Sequence, residues 1–165
     1  MKKIWIIFIV IGILIFAVVL ISRQKAKAPS FLFDLADTAI YYEDRAMHEE
    51  WGKITLEISK DGSSMLNKYK DLELKESYPF ETSKAELSEI LDAAEQNGFL
   101  SLRDEYISHD VMDGGIETMT IFYGDKSKTV TIVNANIDGF RLVTVEIFKL
   151  LNQKLGEDSY SFKGL

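Results

Sequence analysis

The sequence predicts an α+β domain that follows an N-terminal transmembrane helix, and three observations support this prediction. An unbroken apolar run occupies residues 4–22. Further along the chain, apolar and polar residues alternate with the period of β-strands. Each alternating region is followed by a segment with a helical apolar stripe. We therefore predict a four- to five-stranded antiparallel sheet with two helices on one face, in the order strand-strand-helix twice.

The N-terminal run reads IWIIFIVIGILIFAVVLIS and contains no charged residue. A helix of this length is roughly 28 Å long, close to the thickness of the hydrocarbon core of a bilayer. A cleaved signal peptide also begins with basic residues, but its apolar region is usually about 7–15 residues long. We predict an uncleaved, single-pass signal anchor over residues 1–22, with membrane contact through residues 4–22. Cleavage after Ala28 is the alternative.

Charge is distributed unevenly along the chain. Residues 1–28 hold five basic residues and no acid, so the remaining 137 residues hold 14 basic and 26 acidic residues, a net charge of −12. This sign is opposite to that of a nucleic-acid-binding protein, and we expect no nucleic-acid partner. Anionic lipid headgroups of the inner leaflet would also repel so acidic a domain. We expect a cell-membrane protein with its C-terminal domain outside the cytoplasm; a cytosolic domain tethered to the inner leaflet is the alternative.

The anchor is separated from the folded domain by a short linker. Residues 23–30 (RQKAKAPS) are polar, and Pro29 disfavours continuation of the helix. The acidic extracytoplasmic α+β domain is predicted over residues 31–165. The chain contains no cysteine, which excludes disulfides, thiolate metal sites and cysteine nucleophiles.

Two hairpins are predicted from residue alternation. Residues 53–59 (KITLEIS) have an apolar residue at every second position, which is typical of a strand with one buried face. Asp61 and Gly62 form the pair that a type I′ turn prefers, and residues 65–69 can return as the partner strand. The second hairpin has two threonine-rich strands, residues 117–123 and 128–133.

Two other segments have no such clear pattern. Residues 71–81 are interpreted as a loop. Residues 31–50 suit either a helix or a strand, and the aromatic and β-branched content of residues 37–44 favours a strand.

Both helices have recognisable ends. Ser83 and Glu86 have the spacing of a capping box, and Asn97-Gly98 is typical of a helix end. The apolar stripe of this first helix consists of Leu87, Ile90, Leu91 and Ala94. The second helix is predicted from a cap at Asp138 to about Lys154, followed by Gly156. Its stripe consists of Val143, Ile147, Leu150 and Leu151.

The order of these features resembles a known group of domains. Ile54 to Gly62 (ITLEISKDG), the Ser-x-x-Glu-Leu start at Ser83, Gly98-Phe99, and Asp113-Gly114-Gly115 before a strand are similar to an uncharacterised family of bacteria and archaea. Its members are small membrane-anchored or lipoprotein extracytoplasmic domains of unknown function. The likeness spans about residues 37–154 and implies an extracytoplasmic fold, but it carries over no functional residue. The sequence departs from the lipoprotein members in lacking a cysteine.

Catalytic motifs are largely absent from the sequence. The chain has two histidines, His48 and His109, without the second histidine or cysteines that zinc sites require. No Gly-x-Ser-x-Gly motif occurs. We therefore assign no catalytic residue and expect no cofactor.

Two segments could hold a cation, although simpler explanations exist for both. Residues His109 to Gly115, with Asp110 and Asp113, could form an oxygen-rich site together with Glu117. A polar loop before a strand explains the same residues, and we favour it. The second segment has calcium-loop spacing at Asn134, Asn136 and Asp138 but lacks the glutamate at the twelfth position. Helix capping by Asp138 explains it with fewer assumptions.

The sequence favours a non-enzymatic binding module over an enzyme. We expect a membrane-anchored extracytoplasmic domain that binds an unknown protein or envelope component through an edge strand or the helix-free face of the sheet. The alternative is a small membrane-tethered hydrolase with a carboxylate or cation site around His109–Gly115. A deep cleft that collects these groups together with Glu117 would favour the hydrolase.

Overall fold

The computed structural model describes residues 33–47, 52–109 and 114–156, which contain seven β-strands and two α-helices. The helices are α1 (Lys84–Gln96) and α2 (Asp138–Leu155). Short 3₁₀ turns occupy Leu35–Asp37 and Phe99–Ser101. The strands are β1 (Thr38–Ala46), β2 (Lys53–Ile58), β3 (Ser63–Lys70), β4 (Glu73–Glu81), β5 (Glu105–Ile107), β6 (Gly115–Tyr123) and β7 (Lys126–Val133).

All seven strands form one mixed sheet in the order β4-β3-β2-β1-β6-β7-β5. Neighbouring strands are antiparallel except β5 and β7, which run parallel. β1, the first strand of the described residues, is the central strand of the sheet. Tyr42 of β1 pairs with Leu56 of β2 on one side and with Met119 of β6 on the other.

The α+β content is as predicted, but the four- to five-stranded antiparallel sheet with strand-strand-helix order is wrong. The two strands that were not predicted, β4 and β5, are the edges of the sheet. Residues 71–81, interpreted as a loop, contain the nine-residue β4. Leu74, Tyr78 and Phe80 occupy alternate positions in the sequence of β4, but Glu76 interrupts this alternation and most side chains of the strand are exposed, so the strand signal in the sequence is weak.

The core lies between the two helices and one face of the sheet. Alternate side chains of the inner strands are buried there, and the register places them in continuous rows. The predicted stripes of both helices are buried as well: Leu87, Ile90, Leu91 and Ala94 in α1, and Val143, Ile147, Leu150 and Leu151 in α2. Each such large aliphatic side chain contributes about 1.5–3 kcal/mol through burial.

The helix ends agree with the sequence except at one position. The capping box of α1 is confirmed, since Ser83 Oγ accepts the amide of Glu86 and Glu86 Oε2 accepts the amide of Ser83 at 2.8 Å. Gly98 follows α1 with φ 68°, and Gly156 ends α2 with φ 83°. The cap at Asp138 is wrong. Ile137 is the N-cap of α2 without a side-chain hydrogen bond, and Asp138 belongs to the first turn.

The hairpin turns also differ from the prediction. Gly62 alone has a positive φ in the β2–β3 turn, so Asp61-Gly62 does not form a type I′ turn. The two consecutive positive φ angles of a type I′ turn occur instead between β3 and β4, where Asp71 has φ 52° and Leu72 has φ 64°. A leucine in this region is unusual, since its Cβ disfavours the left-handed conformation.

Neither helix within the described ranges has both the length and the apolarity needed to cross a membrane. The predicted anchor at residues 4–22 and the linker at residues 23–30 lie outside the described residues, as does the end of the predicted domain beyond residue 156.

Candidate functional site

Two acidic side chains share the helix-facing side of the two central strands. Asp44 of β1 and Glu117 of β6 are directly paired in the antiparallel register. Asp44 follows Tyr42 in the inward alternation, and Glu117 precedes Met119 in the same alternation on its own strand. Directly paired residues have Cβ atoms about 4.5–5.5 Å apart, so the two carboxylates are close neighbours.

Tyr42 connects this pair to the core. Its hydroxyl donates a hydrogen bond of 2.9 Å to Glu117 Oε2, and the tyrosine is fully buried. The ring packs edge-on against Phe148 of α2, with centroids 5.9 Å apart. Burial, followed by the charges of Glu117 and Asp44, raises the pKa of Tyr42, so this hydroxyl keeps its proton and serves as a donor.

The environment opposes ionisation of Asp44. Burial, and secondly the charge of Glu117, raise the pKa of Asp44 to about 6. Among the described residues, no lysine or arginine forms an ion pair with Asp44 or Glu117. Lys68 lies on the same face two strands from Asp44, but it pairs with Glu76 at 3.2 Å. The pair therefore concentrates negative charge at the end of the sheet.

A cavity of about 350 Å³ lies beside Glu117, between the end of the sheet and the first half of α2. This volume is within the range of small-molecule sites, which is about 300–1,000 Å³. Its apolar walls come from the sheet, the loop before α2 and α2 itself: Ile132, Ala135, Ile137, Phe140, Val145 and Phe148. Its polar lining consists of Glu117, Asn136, Arg141 and Thr144.

The remaining polar groups of the lining are occupied or lie at the rim. Thr144 is buried, and its hydroxyl donates to the carbonyl of Phe140 at 3.2 Å. The Arg141 side chain is 52% exposed and lies 3.6 Å from Asp138. Glu117 is therefore the anionic group of the cavity.

The predicted cation loop is only partly described. His109 is exposed at the end of β5, whereas Glu117 lies on the helix-facing side of β6 beside the cavity. Asp110 and Asp113 lie outside the described residues, as does His48. Within the described residues, therefore, only Glu117 of this predicted set contributes to the carboxylate pair.

The three residues of the predicted calcium loop, Asn134, Asn136 and Asp138, lie in three different environments. Asn134 has φ 55°, and its side-chain oxygen lies against the Cα of Gly114. Asn136 lines the cavity. Asp138 is 86% exposed and faces Arg141. The described part of the chain contains no group of three or more histidine, cysteine, aspartate or glutamate residues placed to hold a metal ion.

Asp44 is the member of the site that the sequence analysis missed. A signal was present, because Asp44 continues the inward alternation of Ile40 and Tyr42, where an apolar residue is expected. Chemically, Asp44 can keep its proton up to about pH 6, and Glu117 can accept hydrogen bonds or pair with a cation.

A scan against models of protein families finds no match to this chain, and a search of curated proteins finds no significant match.

Proposed function

We propose that this protein is a membrane-anchored extracytoplasmic binding module that presents its acidic α+β domain to a protein or an envelope component. The apolar run at residues 4–22 and the net charge of −12 beyond residue 28 support this location. The resemblance to membrane-anchored and lipoprotein domains over residues 37–154 agrees with it. Specific binding needs a preorganised surface, and one face of the sheet has this property.

The observation that supports binding most directly is the ordered helix-free face. Neither described helix covers it, yet its polar side chains bind one another. Thr120 and Thr129 hydroxyls are 2.9 Å apart, and Thr118 and Thr131 hydroxyls are 3.2 Å apart. Side chains held by their neighbours lose less conformational entropy when a partner binds.

A charged network continues across the same face. Tyr41 donates to Glu43 at 2.8 Å, and Lys53 lies 3.6 Å from the same carboxylate. Lys53 also lies 4.7 Å from the centre of the Tyr69 ring. This alternation of charge and aromatic surface suits a polar partner better than an apolar one.

The alternative surface, edge strand β4, is less suited to binding. Pro79 has no amide proton to offer a new strand, and the Glu73–Lys75 ion pair of 2.6 Å adds charges along the edge. Charges and proline are devices that prevent strand addition. We therefore place the contact surface on the helix-free face.

Photo-crosslinking of the full-length chain in its own membrane tests this proposal. A benzophenone amino acid replaces Tyr41 or Phe122 on the helix-free face, and Gln153, exposed on α2, in the control variant. We expect a discrete crosslinked product from the first two variants and none from the control. Equal or absent crosslinking at all three positions would contradict the proposal.

A small membrane-tethered hydrolase is the second candidate, and one observation favours it. Glu117 lines an apolar-walled cavity and pairs across the strands with Asp44, whose raised pKa is typical of catalytic acids. Hydrolysis of a panel of chromogenic esters and glycosides by the full-length protein tests it. Turnover that Glu117→Gln abolishes and Glu105→Gln preserves would support the hydrolase, and absence of turnover across the panel would reject it.

A further inference from the structure

We propose that the cavity between α2 and the end of the sheet binds a small organic cation, an amine whose protonated nitrogen is joined to a compact apolar body. This proposal is independent of the proposed function, because the cavity lies on the helix-covered side of the sheet. The shape, the wall chemistry and the charge of the cavity each contribute to the argument.

The apolar lining of the cavity favours a ligand with an apolar body. Phe140 and Phe148 of α2 line the cavity together with Ile132 of β7 and Ile137 of the loop before α2. Phe140 is 2% exposed and Ile132 is 3% exposed, so the walls belong to the packed core. Apolar surface of a ligand would gain the ordinary free energy of burial there.

Glu117 specifies the charge of the ligand. Glu117 has one recorded hydrogen bond, from Tyr42, whereas a carboxylate can accept about four. Asp44 lies directly across the strand pair. Two basic side chains on this side of the sheet pair elsewhere, Lys68 with Glu76 and Arg141 of the cavity lining with Asp138. A protonated amine would supply both the missing donors and the missing positive charge. Its ion pair with Glu117 would be strengthened by the low local dielectric.

Other ligand classes fit less well. An anion would be repelled by Glu117 and could pair with Arg141 only by competing with Asp138. A neutral apolar molecule would bury Glu117 further without giving it a partner, which costs free energy. The charge and the apolar lining together therefore favour an organic cation.

Methyl nuclear magnetic resonance of the full-length chain in zwitterionic micelles tests the proposal. The probes are 2-phenylethylamine, the neutral 2-phenylethanol and the anionic 3-phenylpropanoate. We expect the amine to shift the methyl signals of Ile132 and Ile137 with a dissociation constant below about 1 mM. The methyl signals of Ile58 should not change, because Ile58 lies at the end of β2 opposite to Ile54, the residue that pairs with Asp44. The alcohol and the anion should bind at least about fivefold more weakly.

Two substitutions test whether the amine binds in this cavity. Glu117→Gln should weaken the amine at least about fivefold by removing the charge. Ala135→Leu should block the cavity while it leaves Glu117 in place. The matched control is Glu89→Gln, an exposed acid on α1 that pairs with Lys149, and its affinity should stay within about twofold of the unmodified chain.

The outcomes are distinct. The expected order of affinities, together with loss of binding in Ala135→Leu, supports the proposal even if Glu117→Gln fails to fold. The proposal is overturned if Ile132 and Ile137 do not shift, if the alcohol binds as tightly as the amine, or if the anion binds more tightly. It is also overturned if a folded Glu117→Gln variant retains the amine.

Discussion

Asp44 lies on the helix-facing side of the central strand, where burial and the charge of Glu117 raise its pKa from 3.8 to about 6. Between these pH values the folded chain holds the proton of Asp44 and the unfolded chain does not. The contribution of Asp44 to the free energy of unfolding therefore falls as pH rises through this window. Above about pH 6, the ionised Asp44 lowers the stability of the fold.

The first prediction is that Asp44→Asn raises the free energy of unfolding at pH 7. The expected gain is on the order of 3 kcal/mol, since each unit of pKa shift corresponds to about 1.4 kcal/mol, and it should vanish below about pH 4. Pulse proteolysis of the full-length chain in micelles over a urea series measures it. The exposed Glu105→Gln is the control, and a destabilised Asp44→Asn at pH 7 would contradict the prediction.

Leu72 is a second residue whose conformation costs free energy. It has φ 64° in the β3–β4 turn and is 67% exposed, so little burial offsets the strain. We expect Leu72→Gly to raise the free energy of unfolding by about 1 kcal/mol. Leu74→Gly is the matched comparison, because Leu74 is 55% exposed but lies in β4. The same proteolysis assay should show Leu74→Gly destabilised, and equal effects of the two substitutions would refute this account of the turn.

Among the elements, α1 depends on its capping box. Ser83 and Glu86 satisfy two amides that the first turn of the helix would otherwise leave without partners. Ser83→Ala should lower the free energy of unfolding by about 1 kcal/mol. Ser88→Ala, in the middle of the same helix, should be neutral or slightly stabilising because alanine has the higher helix propensity. Unfolding of the two variants side by side decides between these expectations.

The edge strand β4 illustrates how charge limits association. Lys75 forms an ion pair with Glu73 on a strand whose outer backbone groups face away from β3. We predict that Lys75→Val increases self-association of the full-length chain, since it removes a charge from an exposed strand edge. Light scattering in micelles measures the mass, with Lys84→Val on the first turn of α1 as the control. An unchanged mass for Lys75→Val would show that Lys75 does not protect this edge.

The elements that the sequence predicted are those with one buried face. The buried face of residues 53–58 and the buried stripe beginning at Leu87 consist of apolar residues at regular intervals, and this spacing can be recognised in the sequence. The edge strands bury little: β5 has only three residues, and the pattern of β4 is interrupted by the exposed Glu76. In the site, Glu117 was recognised as a chemical group, but its pairing with Asp44 depends on the register between β1 and β6. The pairing of residues so far apart in the sequence cannot be predicted from the local spacing of apolar residues.

At the scale of the whole molecule, the proposed anchor determines how the protein behaves in cells. We predict that the full-length chain stays in the membrane fraction after washes with high salt and alkali, and that detergent releases it. Protease added to intact cells should digest the C-terminal domain, because the proposal places it outside the cytoplasm. Protection until lysis would reverse the orientation, and recovery in the soluble fraction would refute the anchor. A cytoplasmic marker protein, undigested before lysis, is the control.

The central position of β1 has a mechanical consequence. Any tension transmitted along the backbone into Phe33 reaches the sheet at Thr38, in a strand hydrogen-bonded to β2 on one side and to β6 on the other. Pulling β1 out along its own axis would shear both ladders together, instead of peeling them one bond at a time. A domain loaded in this way should resist mechanical unfolding.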